Sequence, residues 1–446
     1  MKHMTHRSIS AGMNRRRLLQ YGAASLAATS LAAQAAHAQE ASPVAAGDIP
    51  VTGEAAPELA DFDTLMIEAM TKWQIPGGQL AIARDDRLVY NRGFGYASVE
   101  DQLPVEPDNL FRIASNTKPI TTVAILQLVD AGEIGLDTLV FPLLHYELLP
   151  GTPFDPRLDT ITIEHLLVHA GGWNSAKGPN EDPQYLPWPL LASHLLEAEN
   201  PAEAETIVRF MHGQPLDFAP GSQSAYSNFG FNVLGRVIEH VSGQPYEQFV
   251  IDNVLAPAGI TGMAIAGTTL EERAEGEVRY YSPPGLEPRP SVYPGGGYVP
   301  VGYGSYYIRA MDSHGGWIAR AQDQVRFALA VDGTKGPALL TPETVTAMET
   351  TPRPPSAAAG AGNVKESLGL GWNSVPQDGG GYEWSHAGAL EGSNCAWLVR
   401  KPDGTTLAFV FNTLPVDYGT FFNEVFSGLH AQVDATTTWP DVDLFD

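Results

Sequence analysis

Strand-like segments lie at both ends of the chain, and helix-like segments fill the part between them. Apolar residues on each side of Asp85 and Asp86 predict a β-hairpin over residues 78–96. Further strands are predicted over 368–372, 382–387, 394–400 and 405–412, followed by a closing helix over 418–429. We therefore expect an α+β fold, with one antiparallel sheet formed from both chain ends, flanking helices and a mainly helical lobe inserted in the middle.

The middle of the chain shows helical periodicity and one long irregular stretch. Apolar spacing predicts helices over 59–73, 115–131, 162–169, 202–212, 228–242, 245–254 and 322–332. Residues 280–316 are rich in Pro, Gly and Tyr, which predicts an irregular excursion. Its tyrosines either wall a cleft with aromatic surface or pack the two lobes together: Tyr293, Tyr298, Tyr303, Tyr306 and Tyr307.

The N-terminal segment is typical of an export signal. Residues 1–38 contain five Lys or Arg residues and no acidic residue, then an Ala- and Leu-rich stretch that ends in Ala36-His37-Ala38. A membrane helix is the alternative, but the apolar part is short and diluted by polar residues. Asn14 to Leu19 resembles a twin-arginine leader. We expect export to a periplasm or the extracellular space, with no stable membrane insertion of the mature chain.

Charge and cysteine content exclude several classes of function. The 446-residue chain has 26 basic and 51 acidic residues, a net charge of −25. Because phosphate would repel such a chain, we expect no binding to nucleic acid or to anionic membrane surfaces. Cys395 is the single cysteine, which excludes an internal disulfide and any multi-cysteine metal site. The 12 histidines form no His-Glu-x-x-His pattern, so no metal is predicted.

A first candidate for chemistry is the Ser115-Asn116-Thr117-Lys118 motif at the start of a predicted helix. Residues three apart share a helix face, so Lys118 can reach the hydroxyl of Ser115. A serine hydroxyl becomes an effective nucleophile when a base takes its proton, and a helix N-terminus offers N–H groups to an oxyanion. Taken alone, the motif favours a capping serine and a surface lysine.

The second motif is Tyr226-Ser227-Asn228. Tyr226 can pass protons, and the amide of Asn228 can hold the lysine or a substrate carbonyl. The alternative is a buried tyrosine followed by an asparagine that caps the helix starting at Phe229. Capping and function are compatible at Asn228.

The third motif, His-x-Gly, occurs three times. His386-Ala387-Gly388 lies at the end of a predicted strand, where the N–H of Ala389 can face a developing oxyanion. Gly388 would let substrate approach the backbone closely. For His169 and His314, the other two occurrences, we predict packing or loop support.

In this order, the three motifs and their surroundings resemble a known family. Residues 111–121, with Ser115 and Lys118, are similar to the nucleophile segment of the serine β-lactamase-like hydrolases. This group includes class C β-lactamases, D,D-carboxypeptidases, D-aminopeptidases and β-lactamase-like esterases. Other similar segments are 163–172, 226–239 and 315–319, and the resemblance runs from about residue 59 to 430.

The resemblance implies a mechanism and a domain organisation. Ser115 would attack an ester or amide carbonyl, Lys118 and Tyr226 would share the base role, and the N–H groups of Ser115 and Ala389 would form the oxyanion hole. No metal or organic cofactor is needed, and the partner is a small-molecule ester, amide or peptide. We expect a twin-arginine signal peptide over 1–38, a flexible tether over 39–57, a two-lobed domain over 58–432 and a tail over 433–446.

One departure from the family pattern bears on the substrate. Class C β-lactamases carry Lys-Thr-Gly as the third motif, whereas this chain has His386 there. A mostly neutral histidine attracts a carboxylate less than lysine does. We therefore expect a carboxylic ester first, a D-amino-acid-containing peptide second and a β-lactam third.

Other classes of protein fit less well. A non-catalytic binding protein for cell-wall fragments would have no chemical need for Ser115, Lys118 and Tyr226 together. An α/β-hydrolase needs Gly-x-Ser-x-Gly, which the sequence lacks.

Overall fold

The computed structural model describes residues 49–148, 153–174, 183, 185–356 and 368–445. The predicted signal peptide and the first part of the predicted tether lie outside these residues. The strands are β1 Val51–Thr52, β2 Gly77–Arg84, β3 Arg87–Ser98, β4 Leu103–Pro104, β5 Phe111–Arg112, β6 Ala264–Ile265, β7 Arg289–Pro290, β8 Tyr298–Val299, β9 Trp317–Ala319, β10 Asn373–Pro376, β11 Tyr382–Leu390, β12 Asn394–Arg400 and β13 Thr405–Phe411.

The α-helices fall mainly in the middle of the chain. They are α1 Ala60–Trp73, α2 Thr117–Asp130, α3 Val140–Leu144, α4 Ile163–Leu167, α5 Trp188–Leu196, α6 Ala204–Met211, α7 Asn228–Ser242, α8 Tyr246–Val250, α9 Ala321–Ala330, α10 Pro342–Thr350 and α11 Tyr418–Ala435. A π-helical turn over Ile251–Leu255 follows α8, and short 3-10 turns include Ala114–Asn116. Of the described helices, none is both long and apolar enough to cross a membrane.

The main sheet joins the two ends of the chain. Its order is β1-β3-β2-β13-β12-β11-β10, with β4 beside β3, and the pairings are antiparallel. In its centre β2 pairs with β13, from Gly78 opposite Phe411 to Arg84 opposite Thr405. The predicted sheet formed from both ends is therefore confirmed.

Alternation along the strands gives the sheet two apolar faces. Leu80 and Ile82 on β2 belong to a buried cluster that includes residues of α1 and α11. Ala81 and Ala83 alternate with these residues on β2. They belong to the cluster that contains residues of α9 and of the helical lobe. Because successive side chains of a strand point to opposite faces, the sheet lies between these two helical layers.

Several predicted boundaries are wrong. Val51–Thr52 is a strand paired with β3, so the described end of the predicted tether is not loose. The closing helix continues to Ala435, and Leu444 N donates to Leu88 O at 2.8 Å, so the predicted tail packs on the domain. The strand predicted over 368–372 lies instead at β10.

Candidate active site

Ser115 lies in the 3-10 turn that leads into α2. The preceding residue, Ala114, has φ +45°, a left-handed conformation that residues other than glycine rarely adopt. Ile113 anchors the turn, because its N–H donates to Trp317 O at 3.0 Å. The turn therefore places Ser115 at the N-terminus of α2, where the helix dipole favours negative charge.

Lys118 is one helical turn further along and is fully buried. Its Nζ donates to Ser115 Oγ at 3.2 Å, to Asn228 Oδ1 at 2.7 Å and to His314 O at 2.9 Å. Three acceptors match the three hydrogens of an ammonium group. The expected contact between Lys118 and Ser115 is present, and the alternative of a surface lysine is wrong.

Tyr226 reaches Ser115 from the segment that precedes α7. Its Oη donates to Ser115 Oγ at 2.8 Å, and its ring centroid lies 4.8 Å from Lys118 Nζ. The alternative of a buried tyrosine is wrong, because the side chain is 44% exposed. Two ionisable side chains therefore lie within hydrogen-bond distance of the Ser115 hydroxyl.

Asn228 is the first residue of α7, but it is not the cap of that helix. Ser227 is the cap, and its Oγ accepts the N–H of Gly230 at 3.1 Å. The predicted capping role of Asn228 is therefore wrong. Its amide oxygen accepts a hydrogen bond from Lys118 instead.

The edge of β11 runs beside the Ser115 turn. β12 pairs with β11 as far as Leu390, whereas β10 pairs only with residues 382–385 of β11. A Cβ built on Gly388 would lie 2.1 Å from Ile113 O and 3.2 Å from Ser115 N. The space expected to admit substrate is thus taken by the backbone of the Ser115 turn, and Gly388 is needed for this close packing.

His386 is buried on β11 and is neutral at pH 7. Its Nδ1–H donates to Ala387 O at 2.9 Å, since a carbonyl oxygen can only accept. Burial, followed by the positive charge of Lys118, lowers the pKa of His386 to about 3. The third motif therefore supplies no positive charge near neutral pH.

A cavity of about 350 Å³ brings these groups together. Its lining consists of Ser115, His169, Tyr226, Asn228, Arg353, Asn373, His386, Ala387 and Ala389. Lys118 and Gly388 contact the Ser115 turn from the protein interior. The structure thus gathers all the predicted site residues around one cavity, together with His169, Arg353 and Asn373, for which no cavity role was predicted.

The sequence surrounding this cavity matches a defined family. A family model described as Beta-lactamase matches residues 62–420. The chain belongs to the beta-lactamase family. The matched range contains every residue that lines the cavity.

Curated relatives of this beta-lactamase family chain are matched over part of their length. A candidate D-alanyl-D-alanine carboxypeptidase of Escherichia coli O157:H7 is 31% identical over 234 residues, which cover 49% of this chain and 51% of that protein. Protein flp of Staphylococcus aureus strain MW2 is 28% identical over 197 residues, 44% of this chain and 36% of that protein. The chain spans about half or less of the length of these relatives.

Solved structures share the fold. The D-amino acid amidase from Ochrobactrum anthropi SV3, complexed with L-phenylalanine amide, has a TM-score of 0.63 at 20% identity, over 86% of this chain and 100% of that chain. The octameric penicillin-binding protein homologue from Pyrococcus abyssi has a TM-score of 0.60 at 22% identity, over 83% and 77%. These matches confirm the predicted fold class.

Arg353 is a cation that the family motifs did not indicate. Its Nε donates to Gly369 O at 3.0 Å, one Nη to Asn373 Oδ1 at 3.2 Å and the other to Trp372 O. All three partners are neutral oxygens, and no ion pair to Arg353 is formed within the described residues. Burial lowers the pKa of Arg353 to about 10, so the guanidinium remains charged at pH 7.

None of the tyrosines named in the 280–316 excursion lines the cavity, and all but the exposed Tyr298 pack against the rest of the domain. Tyr303 Oη accepts the N–H of Tyr280 at 2.8 Å, and its ring centroid lies 5.5 Å from the guanidinium of Arg112. Tyr307 Oη donates to Glu203, which precedes α6 in the helical lobe. Of the two alternatives for this excursion, the structure supports lobe packing.

The described part of the chain contains no evident metal-binding cluster. No group of three or more His, Cys, Asp or Glu side chains there is arranged to hold a metal ion. Cys395 is buried on β12, and its Sγ lies 3.3 Å from Thr413 O.

Proposed function

We propose that the chain is a serine hydrolase that cleaves a carboxylic ester or amide through an acyl-Ser115 intermediate. The observation that supports this most directly is the pair of hydrogen bonds at Ser115 Oγ, from Lys118 Nζ at 3.2 Å and Tyr226 Oη at 2.8 Å. An otherwise weak nucleophile is activated when such groups take its proton.

The reaction would proceed in two halves. Ser115 Oγ attacks the carbonyl carbon while its proton passes to the Lys118 and Tyr226 pair, which must first lack one proton, as a neutral Lys118 amine or a Tyr226 phenolate. The pair then gives that proton to the departing alcohol or amine as the C–O or C–N bond breaks. Water then attacks the acyl-Ser115 ester and gives its proton to the same groups. As the C–Oγ bond breaks, the pair returns a proton to Ser115 Oγ and the acid is released. Asn228 and His314 O hold Lys118 Nζ in place throughout.

The developing oxyanion would be bound by the N–H groups of Ser115 and Ala389. Two features support this assignment. Ser115 precedes α2 at a helix N-terminus, and Ala389 lines the cavity on the β11 edge that packs beside Ser115.

The decisive experiment is to trap the acyl-enzyme. The purified protein is quenched in acid during turnover of a short-chain aryl ester, and intact mass and peptide mapping locate the added acyl group. We expect the acyl group on Ser115, no labelling in Ser115→Ala, and normal labelling in Ser222→Ala, because Ser222 is exposed and bonds only to Ala219 O. A folded wild-type protein that binds ligand without being acylated would instead support a non-catalytic binding protein.

An ester remains the first candidate substrate, with the neutral His386 as the argument. Because His386 is neutral, the third motif supplies no positive charge that would select an anionic acyl donor. Turnover of aryl esters with little turnover of a chromogenic cephalosporin is the expected pattern.

Arg353 favours a second candidate, a peptide with a free carboxylate. Its guanidinium uses three of five N–H donors on neutral oxygens, and a carboxylate would supply the missing negative charge. The Escherichia coli relative is named for D-alanyl-D-alanine, a dipeptide that ends in a free carboxylate.

A matched pair of substrates separates the two candidates. An acyl-D-alanyl-D-alanine peptide and its C-terminal amide differ only in the charge that Arg353 would meet. A preference of about 10- to 100-fold for the free carboxylate would favour the peptidase, because charge-assisted hydrogen bonds contribute about 1.5–3 kcal/mol. Equal rates, both far below the rate on the ester, would favour the esterase.

We also propose that the chain is exported by the twin-arginine route. The basis is the Arg15-Arg16-Arg17 run before an apolar stretch and a small-residue cleavage site. Replacing Arg15 and Arg16 by lysine keeps the charge and should block export, measured by cell fractionation. Normal export of this double variant would contradict the proposal.

A further inference from the structure

His169 lies beside Tyr226 at the cavity. It follows α4, is 4% exposed and is one of the residues lining the cavity. Its φ is +58°, a left-handed conformation that is rare for a residue with a bulky side chain. Such strained positions are retained where the surrounding structure holds them, often at functional sites.

The ring of His169 touches the ring of Tyr226. The two centroids are 4.6 Å apart, with 37° between the ring planes. Two backbone contacts join the same segments: Ala225 N donates to His169 O at 2.9 Å, and Ser227 N donates to His169 Nδ1 at 3.3 Å. One residue thus contacts Tyr226 and both of its chain neighbours.

The protonation state of His169 follows from these contacts. Because Nδ1 accepts the Ser227 N–H, the neutral ring carries its proton on Nε2. Burial is the main reason that the pKa of His169 lies well below its usual value, and the positive charges of Arg353 and Lys118 act in the same direction. The ring therefore stays neutral near Lys118 at pH 7.

The ring of Tyr226 requires a neighbouring residue that holds it in position. With 44% of its side chain exposed, its ring has little of the packing that fixes a core aromatic residue. Yet its hydroxyl must stay 2.8 Å from Ser115 Oγ for proton transfer. Displacement of a catalytic group by about 1 Å lowers rates by about 100-fold.

We propose that His169 is a positioning residue that holds the hydroxyl of Tyr226 at Ser115 Oγ and thereby sets the rate of acylation. The proposal rests on the proposed function, since it needs Tyr226 to act on Ser115. His169 itself takes no proton in this scheme.

The test is a double-mutant cycle with His169→Asn and Tyr226→Phe, measured on an activated aryl ester. Asparagine tolerates the left-handed backbone and keeps an acceptor near the position of Nδ1, but it lacks the ring. We expect His169→Asn to lower kcat about 10- to 100-fold with little change in KM when Tyr226 is present, and less than twofold in the Tyr226→Phe background. His212→Asn is the matched control, because His212 is also buried but stacks on Phe141 away from the cavity.

Each outcome bears on the proposal separately from the proposed function. Equal losses in both backgrounds would overturn the role of His169, while trapping of acyl-Ser115 would still support a serine hydrolase. Full activity in Tyr226→Phe would overturn both the role of Tyr226 and the inference. If His169→Asn does not fold, His169→Gly, which adopts the left-handed backbone freely and also lacks the ring, is put through the same cycle and judged by the same coupling.

Discussion

Two cations at the cavity, Lys118 beside Ser115 and Arg353 beside Asn373, differ in how their charges are satisfied. At what we call the Ser115 end, the buried Lys118 ammonium meets three acceptors at 2.7–3.2 Å. At what we call the Arg353 end, the guanidinium donates only to neutral oxygens and has no carboxylate partner among the described residues. The first arrangement is complete without a ligand, and the second would be completed by an anion. The difference suggests that the Ser115 end carries out the reaction and that the Arg353 end selects the substrate.

The largest effect is expected at the Ser115 end. Lys118→Met keeps the side-chain volume but removes the base and leaves Asn228 Oδ1 and His314 O without their donor. We expect kcat to fall about 10³- to 10⁴-fold for every substrate, at the upper range for loss of a general base. Lys72→Met is the control, because Lys72 is exposed and pairs with Glu424. A loss confined to anionic substrates would contradict the division between the two ends.

The next largest effect is expected where β11 packs against the Ser115 turn. Gly388→Ala would place a methyl group 2.1 Å from Ile113 O, so the strand and the turn must separate. We expect kcat to fall about 100-fold, because a shift of about 1 Å between catalytic groups has that effect. A Cβ at Gly379 meets nothing within 4 Å, so Gly379→Ala should leave kcat unchanged. Thermal unfolding midpoints distinguish this local shift from general loss of structure.

Arg353→Gln tests the Arg353 end. If an anionic substrate completes this site, kcat/KM for a peptide with a free carboxylate should fall about 10- to 100-fold. Rates on the matched C-terminal amide and on a neutral aryl ester should stay within twofold. A uniform loss on all three substrates would mean that Arg353 supports the chemistry at Ser115. That result would contradict the division of roles between the two ends.

The last effect is expected at His386 and appears in stability rather than in rate. Its pKa is about 3 in the folded protein and about 6.5 when unfolded, so below pH 6.5 the unfolded state binds a proton that the folded state does not. This contribution to the free energy of unfolding falls by about 1.4 kcal/mol per pH unit between 6.5 and 3. Urea unfolding at pH 7.5 and 4.5 should show a shallower pH dependence in His386→Gln. Parallel curves would show that His386 is not held neutral.

The Ser115 end was largely predictable from the sequence. Ser115 and Lys118 share a helix face because of their spacing, and Tyr226 and Asn228 lie at the start of another helix. The spacing within each motif did not show that the motifs meet at one site. The family resemblance did. The role of Gly388 was misjudged, because no sequence pattern shows that a backbone carbonyl from residue 113 lies over that position.

The Arg353 end was not predictable. The carbonyl groups that hold Arg353 come from residues 16 and 19 positions later, in a bend with no regular hydrophobic period. Strand β1 was also missed, because its two residues are too few to show an alternating pattern. Both features arise from tertiary contacts that only the complete sheet creates.

The pairing of β2 with β13 also limits when the cavity can form during synthesis. Arg84 and Thr405, which are hydrogen-bonded across this pairing, are 321 residues apart in the chain. Contacts of such sequence separation are expected to form slowly, because a long loop must close before they are gained. On the ribosome, β13 follows β11, so the strand that carries His386 and Ala389 has no completed sheet to join until residue 411 has emerged. Assembly of the cavity is thus expected only after β13 has been synthesised.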